Sequence, residues 1–301
     1  MIETFEFVIQ LPTQITMPKF PGSMLRGAFG HALREIACMT KQKTCNDCPL
    51  TANCSYARVF EVQQIPSSFK ALSPYIIQPG EDINAGKKPR PYHFTMTLIG
   101  EDTLKQLPII LLAWQKAFNK GLGKDAFIPT IHKVSHVRTQ KDVYRKGTIL
   151  PFDYKPSELP YPPVQNKPWC IEFRTPMRIE RQGKLIGQRE FTLFELFKAL
   201  VRRNKNIAKN YFNNWQNEYI ELDSLRFIQC EAKLKWQDWS RYSNRQRQKM
   251  QLGGLVGTLT IPANTLTPQQ AYQLSLSEKL NIGKHTVFGM GAIRITKDSN
   301  H

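Results

Sequence analysis

No stretch of the 301 residues is apolar and uncharged over the 18 or so positions that a membrane-spanning helix needs. The most apolar run, Leu107 to Ala113, is far too short, so no membrane partner is expected. The N-terminus, Met-Ile-Glu-Thr-Phe-Glu, has no basic region ahead of an apolar core, so no secretory signal is expected either. Both readings place the chain in the cytoplasm, where cysteines are reduced, metal-bound or catalytic rather than bridged. Acidic residues are scarce as well. No clustered Asp/Glu set of the kind that holds two divalent ions stands out, which argues against a metal-dependent nuclease. Nor does any glycine-rich loop end in the Gly-Lys-Ser/Thr of a nucleotide-binding P-loop.

The deficit of acids makes the surplus of bases conspicuous. Lys and Arg number 42 against 24 Asp and Glu, a formal charge of +18. That much self-repulsion in a compact state implies a polyanionic partner, and with membranes set aside the polyanion is nucleic acid. A hydrophobic fraction of 41% is enough to build cores, and the length suits two domains. Six prolines between Pro151 and Pro168 forbid a helix and mark the boundary, giving domains 1–160 and 168–301.

Periodicity repeats across that boundary. In the first half, Ile2 to Leu11 alternates as a strand and a helix spans about Met24 to Met39, with Gly22 or Ser23 as its cap. Tyr92 to Leu98 is a strand, and Leu104 to Lys120 a helix whose start Pro108 blurs. Strands follow at Ile128 to Arg138 and Val143 to Ile149. In the second half, strand Trp169 to Arg174 leads through a hairpin at Gly183 to a helix from Thr192 to about Phe212. Strands at Leu225 to Trp236 and Gly254 to Ile261 come next. A helix with Thr267 as cap and Pro268 at its first position precedes a last strand near Ile295. The expected fold class is α+β: two tandem ferredoxin-like (RRM-like, βαββαβ) domains with a Cys-rich loop inserted in the first.

Three constellations carry chemistry. The first is the glycine-rich loop 281–291, Asn-Ile-Gly-Lys-His-Thr-Val-Phe-Gly-Met-Gly. Glycines tolerate positive φ, and exposed successive N–H groups favour phosphate. Gly283, Lys284, Gly289 and Gly291 are therefore expected to contact RNA. The second is Cys38, Cys45, Cys48 and Cys54, four thiols in loop 38–54. Their spacing suits a closed structural zinc site, with an iron–sulfur cluster as the alternative. The lone Cys170 and Cys230 read as small buried hydrophobes. The third is a set of basic residues interleaved with aromatics, in which Arg241, Arg245, Arg202 and Arg203 are expected to bind RNA.

The glycine loop, the stretch Pro21-Gly22-Ser23-Met24-Leu25-Arg26-Gly27-Ala28-Phe29-Gly30 followed by cysteines and by Tyr56-Ala57-Arg58-Val59-Phe60-Glu61, and Arg241 to Gln246 with Leu252 to Gly257, together resemble the RAMP superfamily. They are most similar to its CRISPR repeat-processing endoribonucleases. One departure is Asn281, which stands where the family loop often has its first glycine; asparagine tolerates the left-handed region too. The resemblance implies sequence-specific, metal-independent cleavage of precursor CRISPR RNA within its repeats, with no cofactor for catalysis. The 2′-hydroxyl attacks the adjacent phosphorus, leaving a 2′,3′-cyclic phosphate and a 5′-hydroxyl. It further implies CRISPR effector or adaptation proteins as partners.

Such a reaction needs a base, an acid and a cation. By region, the resemblance makes His31 the first choice for acid or base, Arg26 the phosphate cation or the histidine's substitute, and His285 a second contact. His132 and His136 read as surface residues of a strand ending. The alternatives are a non-catalytic RAMP subunit that holds guide RNA in an effector complex, and an RNA-binding module unrelated to CRISPR.

Overall fold

A computed structural model describes residues 1–12, 15–62, 71–81, 89–152, 166–213, 218–238, 240–243 and 248–296. Two compact units emerge, Met1–Ser157 with Asn210–Asn214, and Glu158–Lys209 with Trp215–His301. Most of the proline-rich segment that separates them in sequence lies outside the described residues.

The first unit comprises β1 (Ile2–Leu11), α1 (Gly22–Ala37), α2 (Ser55–Val59), β2 (Tyr75–Pro79), β3 (Arg90–Ile99), α3 (Glu101–Leu104), α4 (Leu107–Asn119), β4 (Thr130–His136), β5 (Asp142–Arg145) and β6 (Thr148–Ile149). Its six strands form one antiparallel sheet in the order β2-β3-β1-β4-β5-β6. Alternation on β1 sends Phe5, Phe7, Ile9 and Leu11 to one face, all buried. Phe7 stacks on Phe94 of β3 at 4.6 Å, and Phe29 of α1 stacks on Trp114 of α4 at 5.1 Å. These rings make the aromatic core between sheet and helices. Pro108 sits in the first turn of α4, where its missing N–H costs nothing. The apolar Leu104-to-Lys120 stretch therefore breaks into α3 and α4 just ahead of the proline.

The second unit repeats the plan with β7 (Trp169–Met177), the hairpin β8 (Glu180–Arg181) and β9 (Lys184–Leu185), α5 (Leu193–Tyr211), β10 (Glu231–Gln237), β11 (Ser240–Ser243), β12 (Gln248–Gln251), β13 (Gly254–Ile261), α6 (Pro268–Leu280) and β14 (Ile293–Thr296). Its main sheet runs β10-β13-β7-β14, the same order that β2-β3-β1-β4 gives in the first unit. Both are βαββαβ units, so the expected α+β tandem ferredoxin-like fold holds. Thr267 caps α6 by accepting from the Gln270 N–H at 3.2 Å, while Gln270 Oε1 accepts from the Thr267 N–H.

Sequence expectations change at several points. Val143 to Ile149 is not one strand but the hairpin of β5 and β6, turning through positive φ at Lys146 and Gly147. Leu225 to Trp236 is not one strand: Asp223–Phe227 winds into a 3₁₀ turn, and the strand starts at Glu231. His136 is not a surface residue but fully buried. Its Nε2 lies 2.6 Å from Glu3 Oε2, and Arg138 reaches the other Glu3 oxygen at 3.1 Å. Glu3 shares the inward parity of Phe5 and Phe7, so a carboxylate on the core face meets a histidine brought by β4. Among the described residues, no helix is long and apolar enough to cross a membrane.

Candidate nucleic-acid interface

Helix α1 carries the first group of expected site residues. Its N-cap is Pro21, which offers no side-chain acceptor. Arg26 and His31 lie five residues apart, hence about 140° apart around the helix. They do not share a face. Arg26, half-buried, turns toward α2, and its guanidinium carbon stands 3.8 Å from the centre of the Phe60 ring. That cation–π contact contributes about 0.5–2 kcal/mol. Among the described residues no carboxylate pairs with Arg26. Beside it, burial pushes the Tyr75 phenol up to about 12, opposed by the charge of Arg26 and by a hydrogen bond from its guanidinium that is too distorted to meet strict geometry. His31 is exposed, on the stripe that also carries Gly27 and Glu35. Nothing stands within 4 Å of where a Gly27 side chain would begin. Glu35 is tied to Lys116 of α4 at 3.5 Å and to Lys120 at that helix's C-cap.

The cysteine loop follows α1. Arg34 donates to the carbonyls of Gln42 and Lys43, the latter at 2.9 Å, and Thr51 Oγ1 donates to the Cys48 carbonyl at 2.6 Å. Cys38 and Cys48 both approach Thr40 Oγ1, at 4.0 and 3.5 Å. That hydrogen bond holds the Cys48 thiol below its ordinary range, whereas burial pushes Cys45 up. All four thiols are half-buried. Yet among the described residues no group of three or more His, Cys, Asp or Glu is gathered closely enough to hold a metal ion. As arranged, the loop does not fit the tetrahedral thiolate site expected from its spacing. Zinc there would require the thiols to close on one point, and elemental analysis of the purified chain decides it.

In the second unit, the glycine loop is pinned to β7 and to the turn beyond it. The Lys284 N–H donates to the Arg178 carbonyl at 2.9 Å, and the Gly291 N–H to the Pro176 carbonyl at 3.1 Å. Thr175 Oγ1 donates to the Gly289 carbonyl at 2.7 Å and accepts from the Ala292 N–H at 2.8 Å. Phe288 and Met290 bury an apolar underside against Leu252. Gly283 and Gly291 have positive φ, and a Cβ at either would overlap the carbonyl oxygen of Arg178 or Ile282. These glycines thus serve close backbone packing, and the N–H groups of Ile282, Lys284, Phe288, Gly289, Gly291 and Ala292 are engaged within the protein. Asn281 does take positive φ, and its Nδ2 donates to the Met290 carbonyl. His285 adopts the left-handed conformation and stacks on Phe288 at 5.3 Å. Lys284 is half-exposed but pairs with Glu180 at 2.6 Å, an ion pair that an RNA phosphate must displace.

Of the basic residues, Arg202 is exposed on α5, in one stripe with Lys198 and Lys209. Arg203 must be corrected. It is 7% exposed, its Nε donates to the Leu280 carbonyl at the end of α6, and burial lowers its pKa to about 10. It closes a helix end and offers no charge to RNA. Arg202→Ala is therefore expected to lower the salt slope of RNA binding by about 0.7, one phosphate contact on a single strand. Arg203→Met should leave that slope unchanged. Equal losses from both variants would contradict this division. Arg241 lies on strand β11, paired with Met250, and Arg245 lies outside the described residues.

Sequence reasoning quoted Gly30 and Phe60 within the stretches that carry the resemblance but gave them no role, and it missed Tyr75, Thr175 and Arg178. The four-residue spacing of Tyr56 and Phe60 was the one available signal, since it puts two aromatics on one face of a short helix.

Residues 1–156 match the family model of the AF_1859 N-terminal domain, and residues 171–293 that of the CRISPR-associated endoribonuclease Cas6. No curated protein matches the chain. Among solved structures, a Cas6 product complex superposes with a TM-score of 0.57 at 13% identity, covering 98% of this chain and 99% of that one. A Thermus thermophilus Cas6 gives 0.54 at 11% identity, covering 98% of each chain. A partial Cas6-RT-Cas1–Cas2 complex gives 0.56 at 13% identity, covering 100% of this chain and 46% of that one.

Proposed function

We propose that the chain is a CRISPR repeat-processing endoribonuclease of the Cas6 kind, whose family model residues 171–293 match, and that it cuts precursor CRISPR RNA inside the repeat by attack of a 2′-hydroxyl on the adjacent phosphorus. The products would be a 2′,3′-cyclic phosphate and a 5′-hydroxyl, formed without a metal ion. The observation that carries this reading is Arg26, a cation seated on an aromatic ring with no carboxylate partner among the described residues. A charge so placed suits the phosphorane, whose added negative charge exists only at the transition state. His31, exposed on the same helix, is the proposed general acid or base. His285, Lys284 and the α5 stripe would hold the RNA on the second unit. The likeness to a chain of a Cas6-RT-Cas1–Cas2 complex is compatible with adaptation proteins as further partners.

The test is end-labelled repeat RNA from the chain's own locus, incubated with the protein in EDTA. One discrete cut with a cyclic phosphate on the upstream fragment is the expected result, abolished by a 2′-deoxy nucleotide at the scissile position. Tight binding without a cut would overturn it in favour of a guide-holding subunit.

A further inference from the structure

The stripe of α1 that bears Arg26 is shaped around one ring. Arg26, Gly30 and Arg34 recur every four residues and so lie in line along the helix. Phe60 fills the middle of that line. Its ring occupies the space a Cβ at Gly30 would take, with Cζ nearest, and the Arg26 guanidinium lies over the ring. Two further rings hold Phe60 independently of Arg26. Tyr56 stacks on it at 5.4 Å and 23°, itself under Arg34 at 5.8 Å, and Tyr75 lies parallel at 6.2 Å and 15°. The platform is therefore fixed by α2 and β2, while the arginine on it has a long stem and, apart from the Tyr75 hydroxyl beside it, no carboxylate to hold its head. A planar guanidinium on a fixed ring keeps few of the orientations open to a free one.

We infer that Phe60 is a positioning residue, which sets the Arg26 guanidinium for the scissile phosphate, and that Gly30 lacks a side chain so that the ring can lie against the helix. The inference rests on the cleavage reading above. Tyrosine is not a harmless replacement, because a hydroxyl on Cζ would run into the helix at Gly30.

The experiment is a double-mutant cycle of wild type, Arg26→Ala, Phe60→Leu and the pair. It is read by single-turnover cleavage in EDTA and by affinity for repeat RNA carrying a 2′-deoxy nucleotide at the scissile site. Phe60→Leu should slow cleavage about tenfold and leave affinity within about twofold, yet cost nothing further in the Arg26→Ala background, since coupled residues are non-additive. Phe60→Met, which keeps apolar bulk without a ring, should behave alike and guards against a folding defect. If the two losses multiply, or Phe60→Met cuts at the wild-type rate, the inference is overturned while the cleavage reading stands. If wild type does not cut, the cleavage reading fails first and this one with it.

Discussion

His31→Ala is expected to lower the single-turnover rate of repeat cleavage by about 100-fold or more, the contribution of one positioned acid or base. Affinity for the 2′-deoxy RNA should stay within about twofold. The side chain is exposed and lies on the α1 stripe that also carries Gly27, away from the aromatic platform, so its removal takes away a proton carrier and no packing. The unfolding midpoint should accordingly not move. Added imidazole should restore part of the rate if the lost group transfers a proton. A wild-type rate in His31→Ala, with the same in His285→Ala, would remove these two histidines from the reaction and leave Arg26 as the remaining assigned residue.

Gly291→Ala should damage the second unit severely. Its φ of +70° already costs a residue with a Cβ about 1–2 kcal/mol. The new carbon would also overlap the Ile282 carbonyl oxygen. Relief would pull Gly291 from two hydrogen bonds, one accepted from the Ile282 N–H at 2.8 Å and one donated to the Pro176 carbonyl. A loss on the order of 3 kcal/mol follows, readable as a lower urea midpoint at unchanged slope. RNA affinity should fall about tenfold or more, because Lys284 and His285 are displayed by the same loop. An unchanged midpoint would mean that the loop relaxes freely and that its glycines serve something other than close packing.

Much of this was legible before any coordinates. The βαββαβ order of the second unit, with the Thr267–Pro268 start of α6, and the first unit's order apart from one strand follow from periodicity and capping, because both are local properties. Strand β2 was not legible. Tyr75, Ile76 and Ile77 are all buried, so the strand shows no alternation, and only its pairing with β3 identifies it. The site was legible in its parts but not in its partnerships. Phe60 meets Arg26 across 34 residues of sequence, a distance that no periodicity spans. Arg203 was misjudged for a different reason. It stands beside the exposed Arg202, and charge alone does not separate the two. Its spacing from Leu196, Leu200 and Ile207 puts it on the inward stripe of α5, a signal that was present and outweighed by the basic composition around it.

One edge strand of the second sheet, β10, bears on whether copies of so basic a chain associate. Five of its seven residues are exposed, and its one hydrogen-bonded neighbour in that sheet is β13. Such a strand invites a second molecule to add its own strand and start a fibre. Lys233, which pairs with Glu231 at 2.7 Å, and Lys235 stand along it, and charged side chains on an exposed edge disfavour such pairing. Basic residues that would suit a polyanion thus also count against strand-to-strand association of copies of the chain.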